Sequence, residues 1–158
     1  MIPAPVGAML ETIAGRSIMN QVVKPSSVGW QIEPDFFSYW AKDYYNCRQQ
    51  INQPGRFSPV PYFLLCRAIE LGIKAKLLRR WTQDQLRCKF RHDLVKAYKA
   101  LDSHDQILSD SECSFLESVS SKYSKKEFEY FNRKGGWPQF QKYPDLGELS
   151  RITKKLIG

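Results

Sequence analysis

Histidine is scarce in this chain of 158 residues, which holds only His92 and His104. Its four cysteines, at positions 47, 66, 88 and 113, form no C-x-x-C pair. Too few ligands at the wrong spacing argue against a zinc centre, and nothing in the pattern calls for a metal or a cofactor. Cys66 lies within an apolar run and reads as a small core residue, so the thiols are expected to be reduced and structural. No apolar run approaches the ~20 residues needed to span a bilayer, and no basic-then-apolar signal pattern opens the chain. No membrane association is therefore expected, and a cytoplasmic location follows. Strand-like alternation, internal repeats, a Ser-His-Asp set, paired carboxylates and a phosphate-binding glycine fingerprint are also missing.

What is abundant is positive charge. Lys and Arg number 24 against 16 acids, a net charge of +8. Between Lys74 and Lys99 nine cations face only Asp84 and Asp93, so a local surplus of +7 sits in one sixth of the chain. Such concentration attracts phosphate-bearing partners. Lys74, Arg79, Arg80, Lys89, Arg91 and Lys96 are the candidate nucleic-acid-binding residues.

Helical periodicity organises the rest. Leu64, Ala68, Leu71, Ala75 and Leu78 recur at i, i+4, i+7, i+11 and i+14, and Leu65, Ile69, Ile73 and Leu77 widen that face. A central helix packed on more than one neighbour is expected, capped by Ser58 with Pro59 in its first turn. Arg67, Glu70 and Lys74 fall on its other side. They read either as a solvated ion-pair ladder or with Glu70 turned to orient His92. An earlier helix opens at Pro34, with Phe37, Trp40, Tyr44, Cys47 and Ile51 as its stripe. Capping boxes at Thr82–Gln85 and Ser109–Glu112 open two more, the second with Phe115, Val119 and Tyr123 inward and Phe128 to Arg133 as an extension. Pro144 and Asp145 start a last helix with Leu146, Leu149, Ile152 and Leu156 as its stripe. Breaks fall at the loop from Asn52 to Arg56, at Asp102–Asp105 and at Gly135-Gly136-Trp137-Pro138. Residues 1–30 show little periodicity beyond a short helix over Ala8–Ala14. They read as an irregular N-terminal arm preceding a helical domain over 31–158. The expectation is an all-α up-and-down bundle of about five helices.

The segments PYFLLCRAIELGIKAKLL and RHDLVKAY together resemble the HEPN superfamily of helical domains, and more narrowly its bacterial branch with an H-D-L element. The resemblance extends over roughly Phe36 to Ile157 and implies a chain from a bacterium or mobile element. It implies a homodimer whose His92 elements approach one another, RNA or nucleotide phosphates as ligand, and a toxin or phage-defence setting with a cognate antitoxin or partner protein. Ribonucleolytic members carry an arginine followed after four to six residues by a histidine, and Arg87 and His92 match, with four residues between them. Those members usually have a polar residue after the arginine, where this chain has Cys88.

Arg87, His92 and Glu70 are thus the candidate catalytic residues of a metal-independent endoribonuclease. Cleavage through a 2′-hydroxyl needs a proton-moving group and a cation beside the phosphorane, which imidazole and guanidinium supply. The competing account makes His92 and Asp93 a helix N-terminal pair, with Asp93 facing the dipole and His92 capping or packing. In that case the chain is a non-catalytic helical dimerisation or protein-interaction module. His104 is expected in an exposed turn.

Overall fold

The computed structural model describes residues 33–52, 57–130 and 143–158. The N-terminal arm over 1–30, most of the loop up to Arg56 and the Gly135–Pro138 break lie outside them. The described chain is all α: α1 (Pro34–Gln50), α2 (Val60–Leu77), α3 (Gln83–Phe90), α4 (Leu94–Lys99), a 3₁₀ turn (Ser103–Asp105), α5 (Asp110–Ser124) and α6 (Leu146–Ile157).

α2 is the axis. Every residue from Ala68 to Ala75 is buried, so the helix is covered on all sides. Leu65, Ile69, Ile73 and Leu77 enter the main core with Leu86, Phe90, Leu94, Leu116, Val119, Leu149, Ile152 and Leu156 from the later helices. Leu71 and Ala75 face α1, where they meet Phe37 and Ala41. Each fully buried Leu or Ile contributes roughly 1.5–3 kcal/mol, and truncating one such as Ile69 to Ala costs about 2–5 kcal/mol. Gly72 sits where α6 crosses, and a Cβ there would meet Ile157 Cγ2 at 3.0 Å.

The helix starts follow local chemistry. Thr82 and Ser109 close reciprocal capping boxes with Gln85 and Glu112, and the Asp93 and Asp145 carboxylates accept from Lys96 N (3.0 Å) and Glu148 N (2.6 Å). The expected Ser58 cap is corrected: α2 begins at Val60 with Pro59 in the N-cap position, and Ser58, one residue earlier, only accepts from Val60 N at 3.3 Å.

The described residues hold six α-helices, in keeping with the expected bundle of about five; the basic stretch after Thr82 supplies two of them, α3 and α4, parted at Arg91–Asp93. Two further expectations are corrected. On α1, Trp40 and Cys47 are exposed, and the buried positions are Phe37 and Ala41. The cause is that α1 docks along a narrow line where the small Ala41 permits close approach to α2, whereas large apolar residues had defined the expected stripe. Finally, α5 is not extended past Ser124. Lys126 adopts φ 60° and turns the chain, which buries Phe128 in a stack on Tyr62, with ring centroids 5.5 Å apart.

Candidate functional site

Glu70 stands on α2 in the covered segment and its side chain is 2% exposed. A buried carboxylate must gather donors, since leaving it unpaired costs several kcal/mol. Four reach it. Lys74, one turn along α2, donates to Oε1 at 2.5 Å. Oε2 accepts from Arg67 Nη1 at 3.1 Å, Tyr123 Oη at 2.6 Å and His92 Nδ1 at 3.2 Å. The solvated-ladder reading is therefore corrected: the α3–α4 turn and α5 close over this side of α2, and its charges become an internal hub.

Burial opposes ionisation of Glu70, but the Lys74 ammonium, the Tyr123 hydroxyl and Arg67 outweigh it and hold the carboxyl below its usual pKa. Tyr123 is displaced the other way. Desolvation and the adjoining Glu70 charge push its phenol far above the ordinary range, so it stays protonated and donates. An ionised carboxylate only accepts, which fixes the proton of His92 on Nδ1. The imidazole also packs edge-on against Tyr123, with centroids 5.7 Å apart. Its Nε2 has no hydrogen bond among the described residues.

Beside this hub opens a cleft of about 490 Å³. It is lined by Arg67, Lys74, Arg87, Arg91, Lys126 and His92, with Glu70 the one carboxylate and Phe37, Leu71 and Leu86 as apolar floor. Five cations against one acid make it an anion-seeking cavity. Two of its residues, Arg91 (φ 48°) and Lys126 (φ 60°), are the non-glycine residues of positive φ among the described residues. Non-glycine residues avoid such backbone unless surrounding contacts enforce it. At Arg91 the enforcing contact is visible: its carbonyl turns inward and accepts from Lys74 Nζ at 2.8 Å.

The sequence candidates separate into three places. Glu70 and His92 are in contact, and Arg87 and Arg91 line the same cleft. Arg87 is highly exposed and meets Asp84 at 3.4 Å. Lys74 also borders the cleft, but its ammonium is committed to Glu70 and the Arg91 carbonyl, so it acts as an internal brace. Arg79 and Arg80 are turned away to Asp105 (3.8 Å) and Asp102 (2.9 Å). Lys89 and Lys96 border a different groove on the far side of α3. Asp93, which the competing account set against the helix dipole, is itself the N-cap of α4, and His92 does not cap but faces Glu70.

No family model matches the chain, and no curated protein or solved structure is similar to it. The site is therefore read from its own residues. Sequence reasoning passed over two of them. Tyr123 fell on an inward stripe, where its hydroxyl signalled a need for a buried partner. Lys126 carried no such signal, because its place depends on the turn that ends α5.

Asp102, His104 and Asp105 bring their ligand atoms within 4.8 Å of one another in the exposed 3₁₀ turn. Arg80 pairs with Asp102, and Lys76 (3.0 Å) and Arg79 pair with Asp105, while His104 Nε2 lies 3.3 Å from the same Asp105 carboxylate. The Lys76, Arg79 and Arg80 cations already engage both carboxylates, which ties the turn to the end of α2.

Proposed function

We propose that the cleft binds the phosphates of RNA or of a nucleotide, and that His92 moves the proton in cleavage of an RNA strand. The observation that carries this reading is the ionised, buried Glu70 holding His92 by Nδ1 beside a cavity ringed with cations. A carboxylate behind the imidazole fixes its tautomer and leaves Nε2 for the substrate. In the reaction, Nε2 takes the proton of a 2′-hydroxyl, whose oxygen attacks the adjacent phosphorus. The bond to the 5′-oxygen breaks, and that oxygen regains a proton from the imidazolium. Arg87 and Arg91 are placed to neutralise charge on the phosphorane, so the step needs no metal ion. The arginine–histidine spacing, which resembles that of HEPN ribonucleases, supports this assignment, and a toxin or defence setting is what that resemblance implies.

A non-catalytic interaction module is the second reading. It is favoured by Phe36, Tyr39 and Trp40, which are 53%, 66% and 42% exposed on α1 and offer an aromatic face to a second copy or another protein.

His92→Ala separates the two readings. Under the first, cleavage of single-stranded RNA is lost, the wild-type products end in 2′,3′-cyclic phosphate, and RNA binding is nearly unchanged. Wild-type protein that neither binds nor cleaves RNA at low salt would remove the catalytic reading and leave the interaction module.

A further inference from the structure

Lys89, Lys96 and Trp81 stand outside the cleft, yet they share one groove of about 630 Å³ bounded by α3, α4 and α5. Helical geometry explains the division. Leu86 and Phe90 of α3 point to the core, Gln83 and Arg87 lie on one flank, and Gln85 and Lys89 lie on the other. The first flank borders the cleft and the second borders the groove side. At the end of α3 the partition is only a chain's width: Phe90 and Asp93 border the groove, while Arg91 and His92 between them border the cleft.

We propose that the ligand is a single-stranded RNA segment rather than a free nucleotide, crossing the α3–α4 turn so that Trp81 and Lys89 form the subsite for a neighbouring nucleotide. This rests on the function proposed above and adds the length and strandedness of its substrate. Single strands are held by aromatic platforms interleaved with cations, which the groove has in Trp81 and Lys89, whereas Phe37 on the cleft floor is buried and offers no open face. The indole of Trp81 is backed by Phe90, with centroids 5.1 Å apart and planes within 24°, so the platform is rigid. Lys89 Nζ lies 4.2 Å from the indole centroid. A base stacking on that face displaces the flexible lysine, which then meets the phosphate beside it. Lys96 makes no ion pair among the described residues and supplies a second phosphate contact. The acids of the groove are already engaged: Asp93 caps α4, and Glu117 pairs with Lys99 at 3.2 Å. A duplex keeps its bases stacked in pairs and presents none to the indole.

The test compares binding of AMP with binding of a uniform single-stranded oligoribonucleotide of about eight nucleotides, within the usual span of such sites. Wild-type protein is measured beside Trp81→Leu, the double variant Lys89→Glu/Lys96→Glu and Arg91→Glu. Trp81→Leu should weaken the oligonucleotide roughly 5- to 150-fold, the range of one stacked base, and leave AMP unchanged. The double charge reversal should act the same way and flatten the salt dependence, and being on exposed side chains it serves even if Trp81→Leu fails to fold. Arg91→Glu should weaken both ligands. Oligonucleotide binding that survives the Trp81 and Lys89/Lys96 changes but falls with Arg91→Glu would overturn the groove subsite and leave the function of the cleft standing. Duplex bound as tightly as single strand would also overturn it. Neither ligand binding to wild type would sink both proposals.

Discussion

Glu70→Gln tests whether the buried hub is what holds this side of the molecule together. The substitution keeps shape and one acceptor oxygen but removes the charge that four donors share. Lys74 is left with the Arg91 carbonyl alone, and Arg67 and Tyr123 with a neutral amide that can serve one of them. Removing one partner from a buried ion pair costs about 3–5 kcal/mol, because the remaining charge stays desolvated. For a chain of this size each kcal/mol lowers Tm by roughly 2–4 °C, so the variant should melt about 6–20 °C below wild type at pH 7. The deficit should shrink in acid. The pKa of Glu70 is lowered by folding, so its contribution is complete above the ordinary glutamate range and is lost as pH falls through the lowered folded value. Calorimetry or circular dichroism melts at pH 7 and about pH 3 read both effects. Adding Lys74→Met to Glu70→Gln should recover part of the loss, a coupling of at least ~1 kcal/mol. A variant melting within about 2 °C of wild type at pH 7 would show that the hub is solvated and the reasoning wrong.

Tyr123→Phe removes a 2.6 Å donor from the same carboxylate. It should cost about 1.5–3 kcal/mol in urea unfolding with an unchanged m-value, and a loss below ~0.5 kcal/mol would contradict the assignment. Arg91→Gly should act in opposite directions on two assays: relief of the positive φ raises stability by about 1 kcal/mol, while loss of the guanidinium weakens nucleotide binding. An Arg91→Gly protein less stable than wild type would mean that the turn is not strained. Asp93→Ala deletes the N-cap of α4 and should lower stability by about 1 kcal/mol without moving Nε2 of His92, as an unchanged imidazole resonance would report. Glu112, held to about 2 by the Ser109 amide and by Lys155 and Arg151, clasps α6 to α5. Its contribution is complete above the normal glutamate range and fades as pH falls toward that value, so Glu112→Gln should differ from wild type near neutrality and converge with it in strong acid.

Period and punctuation by themselves determined the all-α class, the dominance of α2 and four of the helix starts. These are local properties: a 3.6-residue repeat of apolar side chains and a Ser, Thr or Asp three residues before an available N–H do not depend on what lies across the core. The HEPN resemblance singled out Arg87 and His92, and the i, i+4 pair with Lys74 drew notice to Glu70; the structure brings Glu70 and His92 into contact and sets Arg87 on the same cleft. What the tertiary structure alone decided is which charges are free. Arg67, Glu70 and Lys74 had the pattern of a wet surface ladder, and only the closure of the α3–α4 turn and α5 over α2 turned it into a buried hub. Arg79 and Arg80 looked as available as Arg87 and Arg91, but the 3₁₀ turn brings Asp102 and Asp105 to them. Lys126 reached the cleft through a turn whose positive φ no local propensity would foretell. A carboxylate's environment is set by residues distant in the chain, His92 and Tyr123 lying 22 and 53 positions from Glu70, and desolvation acts on whatever the fold assembles there.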